Sequence, residues 1–167
     1  MIIEKKQLSP TNTILYFPTP LPIIGTYIQK DLEKPDLLKE LDTQELSSSY
    51  LLTKDFIYLY SNNKENLEDL ISLSISLLDE LSISSPSIVA PQENLEEKIK
   101  LILKLVVAPF LNKDGGDIEF NSYQNDTVYV KFLGKCHSCP YAQKTLKEKV
   151  EKNLITYLPT ITKAELI

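Results

Sequence analysis

A stretch rich in proline and serine interrupts this sequence of 167 residues near its middle. Residues 82–92 contain two prolines and four serines, a composition that disfavours regular structure and is typical of a linker. On either side the chain has only about 75 to 80 residues, which is near the lower limit for a domain with its own core. We therefore predict two small domains, residues 1–82 and 93–167, joined by a flexible linker over residues 83–92.

Charge is divided unevenly between the two predicted domains. Up to Gln92 there are 7 lysines against 13 acidic residues, whereas from Glu93 onward there are 11 lysines against 10 acidic residues. All 18 cationic residues are lysines, so the sequence lacks the arginines that make bidentate contacts to bases and phosphates. Because neither half has a strong basic excess, we expect no nucleic acid among the partners.

Hydrophobic runs are short throughout the sequence. None approaches the roughly 18 residues that cross a bilayer, so we expect no membrane segment. Residues 1–6 do not resemble the start of a signal peptide, and they contain no arginine-rich presequence. These features favour a cytoplasmic location over the mitochondrial matrix.

Hydrophobic periodicity predicts an α+β fold for the N-terminal domain. The predicted elements are a strand over residues 13–17, a helix after Pro35, a hairpin of residues 49–52 and 56–60, and a helix over residues 67–81. In the last helix the apolar residues recur three or four positions apart. Ser72, Ser74 and Ser76 lie largely off that stripe, so we place them on a solvated face.

The C-terminal domain is also predicted to be α+β, in the order α-β-β-α-β. Its elements are a helix that is capped by Asn94 and that Pro109 ends or tightens in its last turn, a turn over residues 112–117, strands beginning at Ile118 and Val128, a helix over residues 142–157, and an edge strand within residues 160–167. The paired glycines of the turn can adopt positive φ. We assign Asp114 and Asp117 to this turn rather than to a metal or acid–base pair.

The only two cysteines, Cys136 and Cys139, form a C-x-x-C motif between the second strand and the following helix. Gly134 allows a sharp exit from the strand, and Pro140 suits the first helical position. Cys139 would then lie near the positive end of the helix, where the thiolate is favoured over the thiol. We therefore expect two low-pKa thiolates, which the nearby Lys135, Lys144 and Lys147 favour further. Such a pair can bind a soft metal or exchange with a disulfide.

Two thiolates are too few for the usual metal sites of proteins. Structural zinc takes about four nitrogen or sulfur ligands, and an iron–sulfur cluster usually takes four thiolates. His137 is adjacent to Cys136, which makes ligation of one metal by both side chains awkward, so we expect His137 to be exposed and replaceable. A metal site therefore needs small thiols or a second chain, most simply a two-fold dimer that contributes Cys136 and Cys139 from each subunit.

The segment from Glu93 to Ile167 resembles the C-terminal domain of the NifU/Nfu family of iron–sulfur cluster scaffold and carrier proteins. The matching residues are Pro109-Phe110-Leu111, Asp114-Gly115-Gly116-Asp117, Leu133-Gly134-Lys135-Cys136, Cys139-Pro140 and Thr145-Leu146-Lys147. Fewer residues carry a resemblance of the N-terminal half to the Nfu N-terminal domain. These are Ser9-Pro10-Thr11-Asn12 and Asp55-Phe56-Ile57-Tyr58-Leu59.

The resemblance implies an α+β domain that forms a homodimer around a bridging iron–sulfur cluster, with [4Fe-4S] favoured over [2Fe-2S]. Cys136 and Cys139 are then the metal ligands. The resemblance further implies an upstream cluster-assembly scaffold as donor, apo iron–sulfur proteins as acceptors, and a carrier that is not an enzyme. The N-terminal domain would be an adaptor for target proteins. Two alternatives stay open: a thiol–disulfide redox protein that uses the same cysteines, and a structural zinc-bridged dimer.

Overall fold

The computed structural model describes residues 3–43, 48–83, 88–137 and 139–167. The chain divides into two compact units, residues 1–93 and 94–167. Both units contain helices and sheets, which confirms the predicted α+β class.

An antiparallel sheet forms the centre of the N-terminal unit. The elements of this unit are β1 (Glu4–Ser9), β2 (Asn12–Tyr16), β3 (Ile23–Ile24), β4 (Tyr27–Ile28), α1 (Asp36–Thr43), β5 (Ser48–Leu52), β6 (Phe56–Ser61), α2 (Lys64–Ile83) and β7 (Ile88–Val89). Five of the strands pair in the order β1-β2-β6-β5-β4. The predicted hairpin corresponds to β5 and β6, and the predicted long helix corresponds to α2.

The core of this unit lies between the sheet and helix α2. Leu67, Leu70 and Leu78 of α2 are at most 1% exposed, as are Leu15 of β2 and Leu59 of β6. The spacing of three and four residues along α2 places its leucines on one face, and the alternation along each strand places its apolar residues on the other side of the same core.

Ser74 differs from the prediction of a solvated serine face. Its side chain is buried, and its hydroxyl donates a hydrogen bond to the Leu70 carbonyl oxygen at 2.7 Å. A serine in a helix can reach the carbonyl one turn earlier, so burial leaves no polar atom without a partner. Ser72 and Ser76 are exposed, as predicted.

Part of the segment predicted to be a flexible linker belongs instead to the N-terminal unit. Strand β7 pairs in parallel with β3, and the Ile88 amide donates to the Pro22 carbonyl oxygen at 2.7 Å. The hydroxyl of Tyr27 donates to the Val89 carbonyl oxygen at 3.0 Å. Regular backbone pairing therefore holds residues 88 and 89 in place, whereas residues 84–87 lie outside the described part of the chain.

The N-terminal unit extends to Glu93. The carboxylate of Glu93 accepts hydrogen bonds from the amides of Leu32 and Glu33, at 2.6 and 3.2 Å. Asn94 follows with a left-handed backbone (φ 56°) and directly precedes the first helix of the next unit. The boundary between the units is therefore abrupt, because backbone and carboxylate contacts fix the segment on its N-terminal side.

The C-terminal unit has the predicted order α-β-β-α-β. Its elements are α3 (Leu95–Ile102), a π-helical segment (Leu103–Val107), α4 (Ala108–Asn112), β8 (Gly116–Gln124), β9 (Thr127–Gly134), α5 (Ala142–Thr145), a second π-helical segment (Leu146–Glu151), α6 (Lys152–Tyr157) and β10 (Lys163–Leu166). Strands β8 and β9 are antiparallel, and β10 joins β9 in parallel as the predicted edge strand. Asn125 and Asp126, with φ of 48° and 58°, form the two-residue turn of the hairpin.

The first helix does not end at Pro109, which was one of the two effects predicted for this proline. The helical chain continues to Asn112, and π-helical turns over Leu103–Val107 precede the proline. Proline has no N–H group to donate, and its ring clashes with the carbonyl four residues earlier. The wider π-helical turn relieves both constraints, so the helix extends to the turn before β8.

One face of the three-stranded sheet packs on the helices of its unit. Val128 and Val130 of β9, Ile99 of α3 and Leu154 of α6 are fully buried. Among the residues that the structure describes, no helix combines the length and the apolar character needed to traverse a lipid bilayer.

Candidate functional site

Cys136 and Cys139 lie in the loop between β9 and α5. Both are free thiols, and both side chains are partly exposed. The Cys139 amide donates to the Cys136 carbonyl oxygen at 3.4 Å, so the backbone turns back on itself across the motif. Ser138, between them, lies outside the described residues.

Two glycines form the base of the hairpin beneath this loop. Gly116, the first residue of β8, is opposite Gly134, the last residue of β9. Beyond this pair the Lys135 amide donates to the Gly115 carbonyl oxygen at 3.2 Å, and the His137 amide donates to the Gly134 carbonyl oxygen at 3.2 Å. These bonds fold the end of β9 back over the start of β8.

The glycines of the site serve two different purposes. Gly115 and Gly134 have φ of 77° and 59°, a region that glycine enters without strain. Gly116 lies in a strand, with a backbone conformation that any residue can adopt. Its lack of a side chain matters for space, because a Cβ there would lie 2.0 Å from the Cys136 Sγ. The thiol of Cys136 therefore rests against the backbone of Gly116.

The electrostatics around Cys136 favour the thiol over the thiolate. Burial raises the pKa of Cys136, and the neighbouring Cys139, Asp114 and Asp117 raise it further. The expectation of two low-pKa thiolates is therefore wrong for Cys136. Asp114 in the turn before β8 and Asp117 in β8 lie close enough to oppose the negative charge of a thiolate.

Two of the lysines expected to favour the thiolates pair within their own helix instead. The Lys144 Nζ lies 3.8 Å from the Glu148 Oε1, and the Lys147 Nζ lies 2.7 Å from the Glu151 Oε2. Both are pairs of residues four positions apart, which face each other on a helix. The ammonium groups of both lysines therefore have carboxylate partners on the same helix.

Pro140 is not the first helical residue. Helix α5 begins at Ala142, with Tyr141 at the capping position, and the Ala142 amide donates to the Cys139 carbonyl oxygen at 3.0 Å. Cys139 and Ala142 are thereby the ends of a four-residue turn in which proline occupies the second position, where its fixed φ is favoured. Pro140 therefore belongs to the turn before the helix, whereas the helix itself begins at Ala142, where the apolar spacing predicted it.

The candidate metal ligands at the site are the sulfur atoms of Cys136 and Cys139. Among the described residues, no group of three or more histidine, cysteine, aspartate or glutamate side chains is arranged to hold a metal ion. His137 is exposed, and the Asp117 carboxylate accepts a hydrogen bond from the Ile118 amide at 2.8 Å. A four-coordinate metal that binds Cys136 and Cys139 therefore needs ligands from another molecule.

Sequence reasoning missed the contact between Gly116 and Cys136. The glycine pair was interpreted as a turn, which is correct for Gly115 only. No local pattern reports the contact, because it depends on the register of the hairpin and on the path of the loop after β9.

The C-terminal unit matches a known family. Residues 99–165 match the model of the NifU-like domain. Over 67 residues the chain is 42% identical to the NFU1 iron-sulfur cluster scaffold homolog, mitochondrial, of Drosophila persimilis, a match that covers 40% of this chain and 24% of that protein. The chain thus spans about a quarter of the length of the Drosophila relatives that it matches.

Two relatives match most of the chain. It is 28% identical over 165 residues to the Fe/S biogenesis protein NfuA of Buchnera aphidicola subsp. Baizongia pistaciae (strain Bp), which covers 90% of this chain and 80% of that protein. It is 25% identical over 178 residues to the human NFU1 iron-sulfur cluster scaffold homolog, mitochondrial, which covers 98% of this chain and 65% of that protein. Residues 99–165 are therefore a NifU-like domain, in a chain whose homologues across most of its length are named NfuA and NFU1 iron-sulfur cluster scaffold.

Proposed function

We propose that this protein is an iron–sulfur cluster scaffold and carrier that holds the cluster, its cargo, through Cys136 and Cys139. The observation that carries the proposal is a pair of free, partly exposed thiols at the hairpin base of a NifU-like unit. Cysteine thiolates are the usual protein ligands of iron in such clusters. The glycines beneath the loop support the proposal, because they leave room for the sulfur of Cys136.

A second copy of the chain completes the ligand set in this proposal. A cluster usually takes four thiolates, and each chain brings two cysteines. A two-fold dimer places both pairs around one axis, so that the cluster bridges the subunits. We favour a [4Fe-4S] cluster over a [2Fe-2S] cluster, in line with the family resemblance.

Delivery then proceeds by thiolate exchange. A cysteine thiolate of an apo iron–sulfur protein displaces Cys136 or Cys139 from iron, so each step breaks one iron–thiolate bond and forms another. No oxidant or reductant is needed, and the protein acts as a carrier rather than an enzyme. The partial exposure of both cysteines supports this route, since an incoming thiolate has to reach the iron. An upstream cluster-assembly scaffold is the donor by the same chemistry.

The thiol–disulfide alternative has less support at Cys136. A cysteine that attacks disulfides usually has a lowered pKa, because the thiolate is the nucleophile. The pKa of Cys136 is instead raised by burial and by neighbouring acidic groups.

Serine variants of the two cysteines test the proposal. We expect Cys136→Ser and Cys139→Ser each to abolish cluster binding after anaerobic reconstitution with iron and sulfide, because a thiolate ligand is lost. Far-ultraviolet circular dichroism should remain that of the wild type, since neither side chain belongs to the core. His137→Ala, in the same loop, is the control and should retain the cluster. A stable cluster in either serine variant would contradict the proposal.

A further inference from the structure

Gly116 reaches its place at the site through an irregularity in strand β8. Near the turn the strands pair Gln124 with Thr127, and the register shifts between Phe120 and Ser122. Without that shift Asp117 would be opposite Gly134, whereas the bulge puts Gly116 there. The residue under the C-x-x-C loop consequently has no side chain.

The contact between Gly116 and Cys136 leaves no space for even a methyl group. A Cβ on Gly116 would lie 2.0 Å from the Sγ of Cys136 and 2.9 Å from its Cβ. Non-bonded heavy atoms are about 3.5 to 4.0 Å apart at their optimum, so the sulfur would have to move by about 1.5 Å or more. Alternatively the side chain would rotate into another rotamer, which also redirects the sulfur.

A displacement of this size is large for a metal ligand. Metal–ligand distances in working sites stay within about 0.2 Å of their usual values. The shift imposed by a methyl group at position 116 is therefore several times that tolerance. Backbone conformation gives no competing reason for glycine at this position, since its φ lies outside the left-handed region that Gly115 and Gly134 occupy.

We propose that Gly116 is a positioning residue for Cys136. By lacking a Cβ it leaves the volume that the sulfur occupies, and so fixes the direction from which Cys136 approaches iron. This inference rests on the proposed function, in which Cys136 is a cluster ligand.

Gly116→Ala in the chain of 167 residues tests the inference. Loss of an interaction that orients a metal ligand typically lowers affinity by about 10- to 100-fold, so we expect a loss of that size in cluster retention against a chelator. Gly25→Ala is the matched control. It also adds a methyl group at a tight position (φ 94°, 3.2 Å from the Ala90 Cβ), but in the N-terminal unit, and it should retain the cluster.

Two measurements on the metal-free protein distinguish an effect of Gly116 on the position of Cys136 from an effect on the fold as a whole. In a Cys139→Ser background, Gly116→Ala should increase the alkylation rate of Cys136 several-fold, because the sulfur is pushed away from the backbone that covers one side of it. In the wild type, a strong nuclear Overhauser effect should connect the α protons of Gly116 with the β protons of Cys136. The second measurement needs no variant and therefore decides the case where Gly116→Ala does not fold.

The outcomes distinguish the inference from the proposed function. A wild-type protein that assembles no cluster contradicts the proposed function, while the Overhauser effect still tests the placement of Cys136. A wild type with a cluster and a Gly116→Ala variant that retains it equally well would overturn the inference. An absent Overhauser effect between these two residues would overturn it as well.

Discussion

Lys34 in the N-terminal unit and the two cysteines in the C-terminal unit lie in opposite environments. In the N-terminal unit the buried side chain of Lys34 is fully engaged. Its ammonium group donates to the Gln29 carbonyl oxygen at 2.6 Å, the Asp42 carboxylate at 2.5 Å and the Tyr50 hydroxyl at 3.2 Å. In the C-terminal unit Cys136 and Cys139 are instead free and partly exposed at a hairpin base formed by glycines.

The difference shows that one short chain can contain both a fully hydrogen-bonded buried group and a pair of thiols that another molecule can reach. A buried polar group whose hydrogen bonds are all made holds one structure, because any opening leaves it unsatisfied. In the proposed function, a thiol that binds iron has to remain accessible to an incoming ligand. We therefore expect that a perturbation of one unit leaves the other largely unaffected.

Removal of residues 1–93 is the largest change that tests this separation. We expect residues 94–167 to fold and to assemble the cluster, because the sheet, the helices and both cysteines belong to that unit. Transfer to an apo-protein should be slower, since the proposed acidic adaptor is missing. The rate is followed by the change in visible circular dichroism, with the chain of residues 1–167 as the control. An unchanged transfer rate would count against the adaptor role, and a failure to assemble would count against the independence of the units.

Leu59→Ala should have the next largest effect, and on the N-terminal unit alone. Leu59 is fully buried in β6, and replacement of a buried leucine by alanine costs about 3 kcal/mol or more through the lost contacts and the remaining cavity. Chemical denaturation measures the free energy of unfolding, with the half-exposed Leu8→Ala as the control. Reconstituted cluster content should match the wild type. A simultaneous loss of cluster would mean that the units are energetically coupled.

Thr53→Val should destabilise the same unit by about 2 kcal/mol, because it removes a buried acceptor from two amides. The Oγ1 of Thr53 accepts from the amides of Asp55 and Phe56, at 3.2 and 3.1 Å, and donates to the Phe56 carbonyl oxygen at 3.0 Å. Valine has the same shape, so the change isolates the hydrogen bonds. The matched control is the exposed Thr19→Val, which should be nearly neutral. Equal stabilities of the two variants would show that the hairpin loop does not depend on these bonds.

Ser74→Ala should have the smallest effect, within about 0.5 kcal/mol of the wild type. Its hydroxyl donates to the Leu70 carbonyl oxygen, which as a helical carbonyl has the ladder amide as a partner already. Alanine leaves no polar atom unsatisfied and favours the helix. The free energy of unfolding from urea denaturation measures the change. A loss comparable to that of Thr53→Val would contradict the distinction between a required and a redundant hydrogen bond.

Much of the fold could be predicted because local pattern and tertiary packing agree. The spacing of leucines predicted α2, and the alternation in residues 128–132 predicted β9 with one buried face. The order α-β-β-α-β followed from the same patterns. The position of both cysteines between β9 and a helix was also predicted correctly.

The other features depend on contacts between residues that are distant in the sequence, which no local pattern reports. The bulge between Phe120 and Ser122 decides that Gly116, and not Asp117, faces Gly134. Residues 4–7 are polar, so no hydrophobic alternation predicts strand β1. The strand forms by antiparallel pairing with β2. The raised pKa of Cys136 likewise comes from burial and from carboxylates brought close by the fold.

A joint measurement of composition and mass tests most directly the proposal that two chains share one cluster through Cys136 and Cys139. Iron, sulfide and zinc are determined per chain on anaerobically reconstituted protein, together with the mass in solution. We predict about two iron and two sulfide per chain in a dimer, as for one four-iron cluster held by four thiolates. A metal-free monomer with a reversible disulfide between Cys136 and Cys139 would contradict it.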